Sequence, residues 1–370
     1  MHFVQVCRGI AAMAIVLYHG RAFCSHGDVY EIALRGFDAG VDLFFVLSGL
    51  VMVLATKNST GGAKNSIEFI IKRWARVWPP YAVATILFVS IATIFDHNFM
   101  LAPEKINTLI KSFLFYPLNT DSAPALGYPT LGVGWTLNYE MYFYALFAIS
   151  LLSKRFRWVT FFSLIFLTLI IIPESTRTLS FSSSTQYNFS IGYLNLITSP
   201  IIWDFVCGVI IGLIYFSPIR IKNNYILNMT TYLSVALVLW LFSFNSFGDH
   251  GVMGKLPIIA FMVLSLTLRQ KEHEQKSPKV LLWLGDISYS IYLTHTLLYA
   301  FVWVILQRNG FANISQGLVV AWLATILSIP AASIFHHYIE VKLSNIVRNK
   351  LLEFSIPKFT SRHAAFIEKQ

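Results

Sequence analysis

About ten stretches of this chain are apolar over roughly 20 residues each, the length that an α-helix needs to cross the hydrocarbon core of a bilayer. Hydrophobic residues make up 56% of the sequence and charged residues only 12%, whereas soluble domains carry about 25% charged residues. We therefore expect an all-α, polytopic transmembrane helix bundle with about ten spans. The predicted spans cover approximately residues 4–22, 38–56, 79–96, 135–153, 157–173, 199–217, 225–244, 252–268, 283–307 and 317–340.

The orientation of this bundle is predicted by its lysines and arginines, which concentrate in the cytoplasmic loops of membrane proteins. The chain has 28 such residues. With the N-terminus in the cytoplasm, roughly twenty of them fall on the cytoplasmic side and roughly seven on the opposite side. Both termini are therefore predicted to be cytoplasmic. The same asymmetry accounts for the net charge of +10 and gives no reason to expect a nucleic-acid partner.

One integral membrane domain is predicted over residues 1–341, because the sequence shows no repeat of fixed period and no second soluble domain. Residues 342–370 are predicted to form a short basic tail on the inner leaflet. The first apolar stretch lacks a preceding basic region and a small-residue cleavage site, so we expect a retained helix rather than a signal peptide. The cysteines Cys7, Cys24 and Cys207 do not suggest a disulfide framework.

Two long loops are predicted on the outer side, at about residues 97–134 and 174–198. Both are rich in Gly, Pro, Ser, Asn and Tyr. They would suit a wall or lid over an outward-facing site, and they would equally suit plain solvated connectors.

Charged side chains inside predicted helices point to a functional site. Arg8, Glu140 and Asp204 lie deep in predicted spans, and Asp42 and Asp286 lie nearer to helix ends. Each deep charge costs about 2.5–3.5 kcal/mol on insertion scales, so three cost on the order of 10 kcal/mol unless partners or water offset them. A polar cavity shared by several helices is the simplest offset. Ion pairs that lock the helices together are the alternative.

The first predicted helix carries both an arginine and a histidine. Arg8 and His19 are 11 residues apart. At about 100° per residue their side chains share one helix face and are separated by about 16 Å along the axis. This spacing would place a fixed cation toward the cytoplasmic end and a titratable base toward the outer end. His19 is either a catalytic base or a structural hydrogen-bonding residue.

The segment KRWARVWPPY at the predicted cytoplasmic surface holds a pair of arginines. Arg73 and Arg76 are three residues apart and share one face of the segment. Paired arginines at a membrane surface bind lipid phosphates, or they bind a phosphorylated ligand by bidentate contacts. Pro79 is predicted to begin the next helix, a position that proline tolerates.

Three more stretches place polar groups in apolar surroundings. In GVDLFFVLSGLVM, Ser48 and Gly49 permit close helix packing. GWTLNYEMYFYALF surrounds Glu140 with tyrosines. LGDISYSIYLTHTLL is dense in hydroxyl groups and places His295 seven residues after Ser288.

Together these stretches resemble the acyltransferase 3 family of integral membrane acyltransferases. The resemblance rests on five motifs in the expected order: a basic residue followed after ten residues by histidine, then GVDLFFVLSG, RWARVWPPY, WTLNYE and SYSIYLTH. The segment FHHYIE, which ends at Glu340, is similar to the family's terminal motif but lacks the proline that often follows the glutamate. Within the family, GWTLNYEMYFY and the compact length are most like those of bacterial exopolysaccharide O-acetyltransferases of the succinoglycan type.

The resemblance implies that an acetyl group moves from cytoplasmic acetyl-CoA to a sugar hydroxyl at the outer face of the bacterial inner membrane. The acceptor would be a surface polysaccharide or a lipid-linked glycan, and no metal is implied. His19 would be the essential residue, and the arginines would contact the donor. The residues expected to bind the donor or substrate are Arg73, Arg76, Ser48, Asp42, Tyr81, Trp135, Tyr292 and His295.

The residue types suit this chemistry. Acetyl-CoA is a polyanion, which guanidinium groups bind, and a sugar hydroxyl needs a general base, the role expected of His19. Glu140 is expected to orient or charge-balance His19 or Arg8. The developing oxyanion needs a donor, which Arg8, Ser48 or a tyrosine would supply. Direct transfer and a transient acetyl-histidine both remain open.

Two other classes of function are consistent with charges inside a membrane bundle. A secondary transporter or a lipid-linked glycan flippase would also use them, although no internal repeat is visible and the arginine pair lies at one face. A membrane sensor or scaffold has no evident use for a polar interior. Purified protein given labelled acetyl-CoA separates these classes, because only a transferase binds and consumes it.

The predicted orientation can be tested with cysteines introduced one at a time into a chain that lacks its own three. A cysteine placed in the 174–198 loop should react with a membrane-impermeant thiol reagent in intact cells. A cysteine placed in the 270–278 segment should not react until the cells are opened. The reverse pattern would overturn the predicted sidedness.

Overall fold

The computed structural model describes residues 1–24, 29–96, 98–119, 122–177, 179–244, 248–273, 276–311 and 318–355, and within these ranges it contains helices and no strand. The helices are α1 His2–Gly20, α2 Val29–Ala33, α3 Gly40–Thr56, α4 Ala63–Phe95, α5 Pro103–Phe113, α6 Trp135–Leu152, α7 Arg157–Phe166, α8 Ile172–Glu174, α9 Gly192–Ile197, α10 Ile202–Phe216, α11 Asn224–Phe244, α12 Leu256–Glu272, α13 Lys279–Asp286, α14 Ser288–Arg308, α15 Leu318–Phe335 and α16 Ser344–Ser355. The predicted all-helical class is confirmed.

Within the described residues, seven helical segments are long and apolar enough to cross a membrane: His2–Phe23, Val29–Thr56, Ala63–Ile94, Lys154–Glu174, Asn224–Phe244, Ser288–Arg308 and Val319–Ser355. A helix also occupies each of the other three predicted positions, but α10 is short for a span and α12 has only 17 residues. The third, α6, is interrupted by polar side chains such as Asn138 and Glu140. The protein is thus a multi-pass membrane protein, and the count of about ten spans and the N-in, C-in orientation stay predictions.

The prediction that Pro79 begins a helix is wrong. One continuous helix, α4, runs from Ala63 to Phe95 with Pro79 and Pro80 inside it. Proline has no backbone N–H, so the helix loses two internal hydrogen bonds at this point. The helix nevertheless continues across the prolines, and it packs against α6, α14 and α16. As a result, the arginine pair belongs to a long helix of the bundle and not to a separate surface segment.

Glycines bring the central helices into close contact. A Cβ atom at Gly49 of α3 would overlap the carbonyl oxygen of Phe205 in α10, and one at Gly208 of α10 would overlap the carbonyl oxygen of Val46. Small residues at such crossings allow two helix backbones to approach, which stabilises packing where no hydrophobic effect acts between helices. The predicted packing role of Gly49 is therefore confirmed.

The last helix of the bundle continues beyond the predicted domain boundary. A π-helical turn, His336–Leu343, joins α15 to α16 without interruption, and α16 packs against α4. The division at residue 341 stays a prediction, and residues 356–370 of the predicted tail lie outside the described residues.

Candidate functional site

Three cavities follow one another along the bundle. The central cavity, of about 80 Å³, is lined mainly by α1, α3, α4, α6 and α14. The basic cavity, of about 780 Å³, lies beyond the C-terminal end of α3, beside the first half of α16 and along the first half of α4. The aromatic pocket, of about 540 Å³, lies at the C-terminal end of α1. Because α1 and α3 are antiparallel neighbours, the basic cavity and the aromatic pocket open at opposite ends of the bundle.

The central cavity collects polar side chains from five helices. Six of the residues predicted for the site line it, and so do three polar residues that were not predicted as site residues. The predicted residues are Arg8, Ser48, Arg73, Arg76, Glu140 and Tyr292, and the additional ones are Thr136, Tyr144 and Tyr289. A shared polar cavity is therefore present at the place where buried charges were expected to need one.

The electrostatic balance of the central cavity is positive. Among the described residues that line it, three carry guanidinium groups and one, Glu140, carries a carboxylate. The Tyr144 hydroxyl donates a hydrogen bond to that carboxylate. Among the described residues, none of the three guanidinium groups has a carboxylate oxygen within 4.0 Å. The Arg73 guanidinium instead lies over the Phe69 and Tyr144 rings, at 5.6 and 5.8 Å. Unpaired guanidinium groups in a cavity are suited to binding an anion.

The basic cavity is the wide entrance to the central cavity. Arg73 and Arg76 line both. Around them the basic cavity adds one lysine, a further arginine, neutral polar groups and two glutamates. These residues are Lys72, Arg348, Thr56, Asn58, Ser59, Thr60, Asn65, Ser344, Asn345, Glu68 and Glu340.

A hydrogen-bonded layer separates the central cavity from the aromatic pocket. Thr136 and Tyr292 line the first, and Val133 lines the second. The Tyr292 hydroxyl donates to the Val133 carbonyl oxygen at 2.6 Å. The Thr136 hydroxyl lies 2.6 Å from the Tyr292 hydroxyl, with either oxygen able to donate, and 3.2 Å from the same Val133 carbonyl oxygen. These hydrogen bonds therefore link the wall of the central cavity to the wall of the aromatic pocket.

The aromatic pocket combines flat aromatic rings with a fixed ion pair. Tyr18, Tyr128 and Trp135 line it together with His19. Arg21 and Glu31 also line it, and they form an ion pair of 3.0 Å. Aromatic faces with charged hydrogen-bonding groups beside them are suited to a polyhydroxylated ligand, because the faces cover its C–H groups while the charged groups bind its hydroxyls.

His19 is held by a second histidine. The Nδ1 atom of His295 lies 3.0 Å from the Ile291 carbonyl oxygen, so this nitrogen carries the proton. The Nε2 atom of neutral His295 is then an acceptor, and it lies 3.3 Å from Nδ1 of His19. That same Nδ1 lies 2.9 Å from the Ile15 carbonyl oxygen. Since both partners only accept, Nδ1 of His19 carries the proton and its Nε2 keeps the lone pair. No described residue uses this lone pair.

Arg8 and His19 do not share a cavity. Arg8 lines the central cavity and His19 the aromatic pocket. The predicted common helix face is consistent with this arrangement, since both side chains point toward the line of cavities. However, the two residues are far enough apart along α1 that Arg8 lies on one side of the layer formed by Tyr292 and His19 lies on the other.

Apart from Ser288 and His295 of α14, four of the charged or polar residues singled out in the sequence lie outside the three cavities. Asp42 is fully buried, accepts a hydrogen bond from the Gly251 N–H at 2.8 Å and pairs with Nδ1 of His250 at 2.6 Å. Asp204, also fully buried, lies beside it. Tyr81 is buried against Phe115 and Gly134, and Asp286 accepts a hydrogen bond from Gln5. The structure thus places Asp42 and Tyr81 in packing and hydrogen-bonding positions rather than on a cavity wall.

Some of the residues missed from the sequence had a local signal. Tyr144 is one helical turn after Glu140, and Tyr289 is one turn before Tyr292, so helical spacing places each on the same face as a predicted residue. Arg348 had no such signal, because it follows all the recognised motifs. No group of three or more His, Cys, Asp or Glu side chains within the described ranges is arranged to hold a metal ion.

Comparison with known proteins adds an independent observation. A family model described as an acyltransferase domain matches residues 1–336. The chain is also 32% identical over 304 residues to the exopolysaccharide production protein ExoZ of Rhizobium meliloti (strain 1021), an alignment that covers 78% of this chain and 84% of that protein. No solved structure gives a significant match.

Proposed function

This chain belongs to the acyltransferase family that its motifs resemble, and from that membership we propose that it transfers an acetyl group from acetyl-CoA to a hydroxyl group of an exopolysaccharide. The membrane would be the bacterial inner membrane. The acetyl-CoA would enter from the cytoplasm, and the polysaccharide or its lipid-linked precursor would bind at the outer face.

The observation that carries this proposal is the position of Arg73 and Arg76 on the walls of both the basic and the central cavity. A phosphorylated donor needs cations along its length, and guanidinium groups bind phosphate by paired, charge-assisted hydrogen bonds. The path from the wide basic cavity into the narrow central cavity matches a donor that has a bulky, anionic nucleotide at one end and a slender thioester arm at the other.

The acceptor would bind in the aromatic pocket, where His19 supplies the base. A sugar hydroxyl is a weak nucleophile and needs a group to take its proton as it attacks. The lone pair on Nε2 of His19 is suited to this role, because both hydrogen bonds of the opposite ring nitrogen fix the tautomer. The proton would then pass from His19 to the leaving thiolate of CoA, which balances the reaction.

The layer formed by Tyr292 and Thr136 would separate donor from acceptor until the thioester arrives. Tyr292 and His295 lie one turn apart on α14, with ring centroids 6.1 Å apart. A thioester that displaced the bond between Tyr292 and Thr136 would reach His19 from the central cavity. The freed hydroxyls, or Arg8 behind them, would then donate to the developing oxyanion.

Replacing His19 tests the proposed base. His19→Ala should reduce acetylation by at least about 100-fold, because a positioned general base contributes about 10²–10⁴-fold. The measurement is the acetyl content of the surface polysaccharide in cells that carry each variant, normalised to protein in the membrane. Purified His19→Ala protein should still bind acetyl-CoA. Substantial acetylation by this variant would contradict the proposed role of His19, and His295 would then be the candidate for the general base.

Replacing His295 tests whether it positions His19. His295→Gln can keep an acceptor near the place of Nε2, so it should retain more activity than His295→Leu, which leaves Nδ1–H of His19 without that acceptor. The loss should fall on kcat, with the KM for acetyl-CoA unchanged, because His295 lines none of the donor cavities. His337→Leu, at an exposed position, is the control. Equal activity of the Gln and Leu variants would exclude the positioning role.

Replacing the arginine pair tests the donor site. Arg76→Ala should weaken binding of acetyl-CoA by roughly 10- to 100-fold, the value expected for loss of hydrogen bonds to a charged group. Binding is measured with purified full-length protein in lipid nanodiscs. Arg155→Ala is the control, because this arginine is exposed and outside the cavities. If the Arg73→Ala/Arg76→Ala double variant bound acetyl-CoA with unchanged affinity, the two arginines would not bind the donor and would be assigned to lipid contacts instead.

A further inference from the structure

The helix α16 follows the segment that the family model matches, which ends at residue 336. It nevertheless forms part of the basic cavity, through Ser344, Asn345 and Arg348. Positions i, i+1 and i+4 lie close together on one face of a helix. The same helix packs against α4, which carries the arginine pair. A segment expected to lie on the membrane surface is therefore a wall of the proposed donor site.

Arg348 is the notable group on this wall. It is half-buried, and its guanidinium hydrogen-bonds only the neutral side chain of Asn349, at 3.2 and 3.3 Å, within the part of the chain that the structure describes. Lys72, another cation of the same cavity, is instead paired with Glu68 at 2.5 Å. Arg348 thus offers an uncompensated positive charge to whatever fills the cavity.

The position of Arg348 along the cavity indicates which anionic group it would meet. Arg73 and Arg76 line the narrow passage as well as the wide part, whereas Arg348 lines only the wide part. A donor with its thioester arm in the central cavity would place its nearer phosphates at Arg73 and Arg76. The phosphate farther along the nucleotide would lie in the wide part.

We propose that Arg348 binds the ribose 3′-phosphate of coenzyme A, so that α16 is part of the donor site. This inference rests on the proposed function, in which acetyl-CoA is the donor. The phosphate monoester carries more charge than either phosphate of the pyrophosphate does, and a fork of guanidinium N–H groups matches its oxygens. The neutral polar residues Asn58, Thr60 and Asn65 around the same space would face the rest of the nucleotide.

The test compares two probes that differ by that phosphate alone. Binding of CoA and of 3′-dephospho-CoA is measured with full-length protein in nanodiscs of zwitterionic lipid. Wild-type protein should prefer CoA. Arg348→Ala should lose roughly 10- to 100-fold of its affinity for CoA and little of its affinity for dephospho-CoA. Arg348→Lys should retain part of the preference, because it keeps the charge without the fork.

Two further variants make the result specific. Lys350→Ala removes a charge from the exposed face of the same helix and should bind both probes as the wild type does. Arg76→Ala should weaken the binding of both probes alike, because Arg76 lies where the basic cavity meets the central cavity. A second set of nanodiscs contains anionic phosphatidylglycerol, which would compete for Arg348 if its natural ligand were a lipid headgroup.

Each outcome has a separate meaning. If Arg348→Ala lost affinity for both probes equally, or for neither, the assignment would be overturned while acetyl-CoA would remain the donor. Loss of the preference for CoA in wild-type protein when phosphatidylglycerol is added would assign Arg348 to lipid and also overturn it. Wild-type protein that binds neither probe in either lipid would overturn the proposed function itself, and this inference with it.

Discussion

The constraint on which the rest of this structure depends is the cost of holding charges inside an apolar helix bundle. Arg8 and Glu140 each lie in a helix where an ionised side chain costs about 2.5–3.5 kcal/mol on insertion scales. The bundle offsets this cost by turning the polar faces of α1, α3, α4, α6 and α14 toward one cavity. Which helices are neighbours, and how they are rotated, follows from that requirement as much as from apolar packing.

In the proposed function, the layer formed by Tyr292 and Thr136 separates the anionic donor from the base His19. The guanidinium groups of Arg8, Arg73, Arg76 and Arg348 line the central and basic cavities. The hydrogen-bonded pair of His19 and His295 lies beyond the layer formed by Tyr292, where the Arg21 guanidinium that also lines the aromatic pocket is paired with Glu31. The helix α14 links the two regions, because its residues Tyr292 and His295 are one turn apart.

Helical periodicity within single segments predicted much of this site. Contacts between residues far apart in the sequence could not be predicted in this way. The spacing of Arg8 and His19 correctly placed both on the face that follows the cavities, and helical turns relate Glu140 to Tyr144. Pro79 was misjudged because a local rule about helix starts was overridden by packing of α4 on its neighbours. The pair of Asp42 and His250 joins residues 208 positions apart, so no local pattern could have moved Asp42 from the predicted ligand-binding set to a buried network.

The central claim is that the acyl group enters through the basic cavity and leaves through the aromatic pocket at the opposite end of the bundle. Sealed inside-out vesicles test it most directly, with labelled acetyl-CoA outside and the oligosaccharide acceptor enclosed. The account predicts label on the enclosed acceptor, at a rate that falls when Arg73 and Arg76 are replaced. Label that appears only on acceptor supplied from the same side as acetyl-CoA would contradict it.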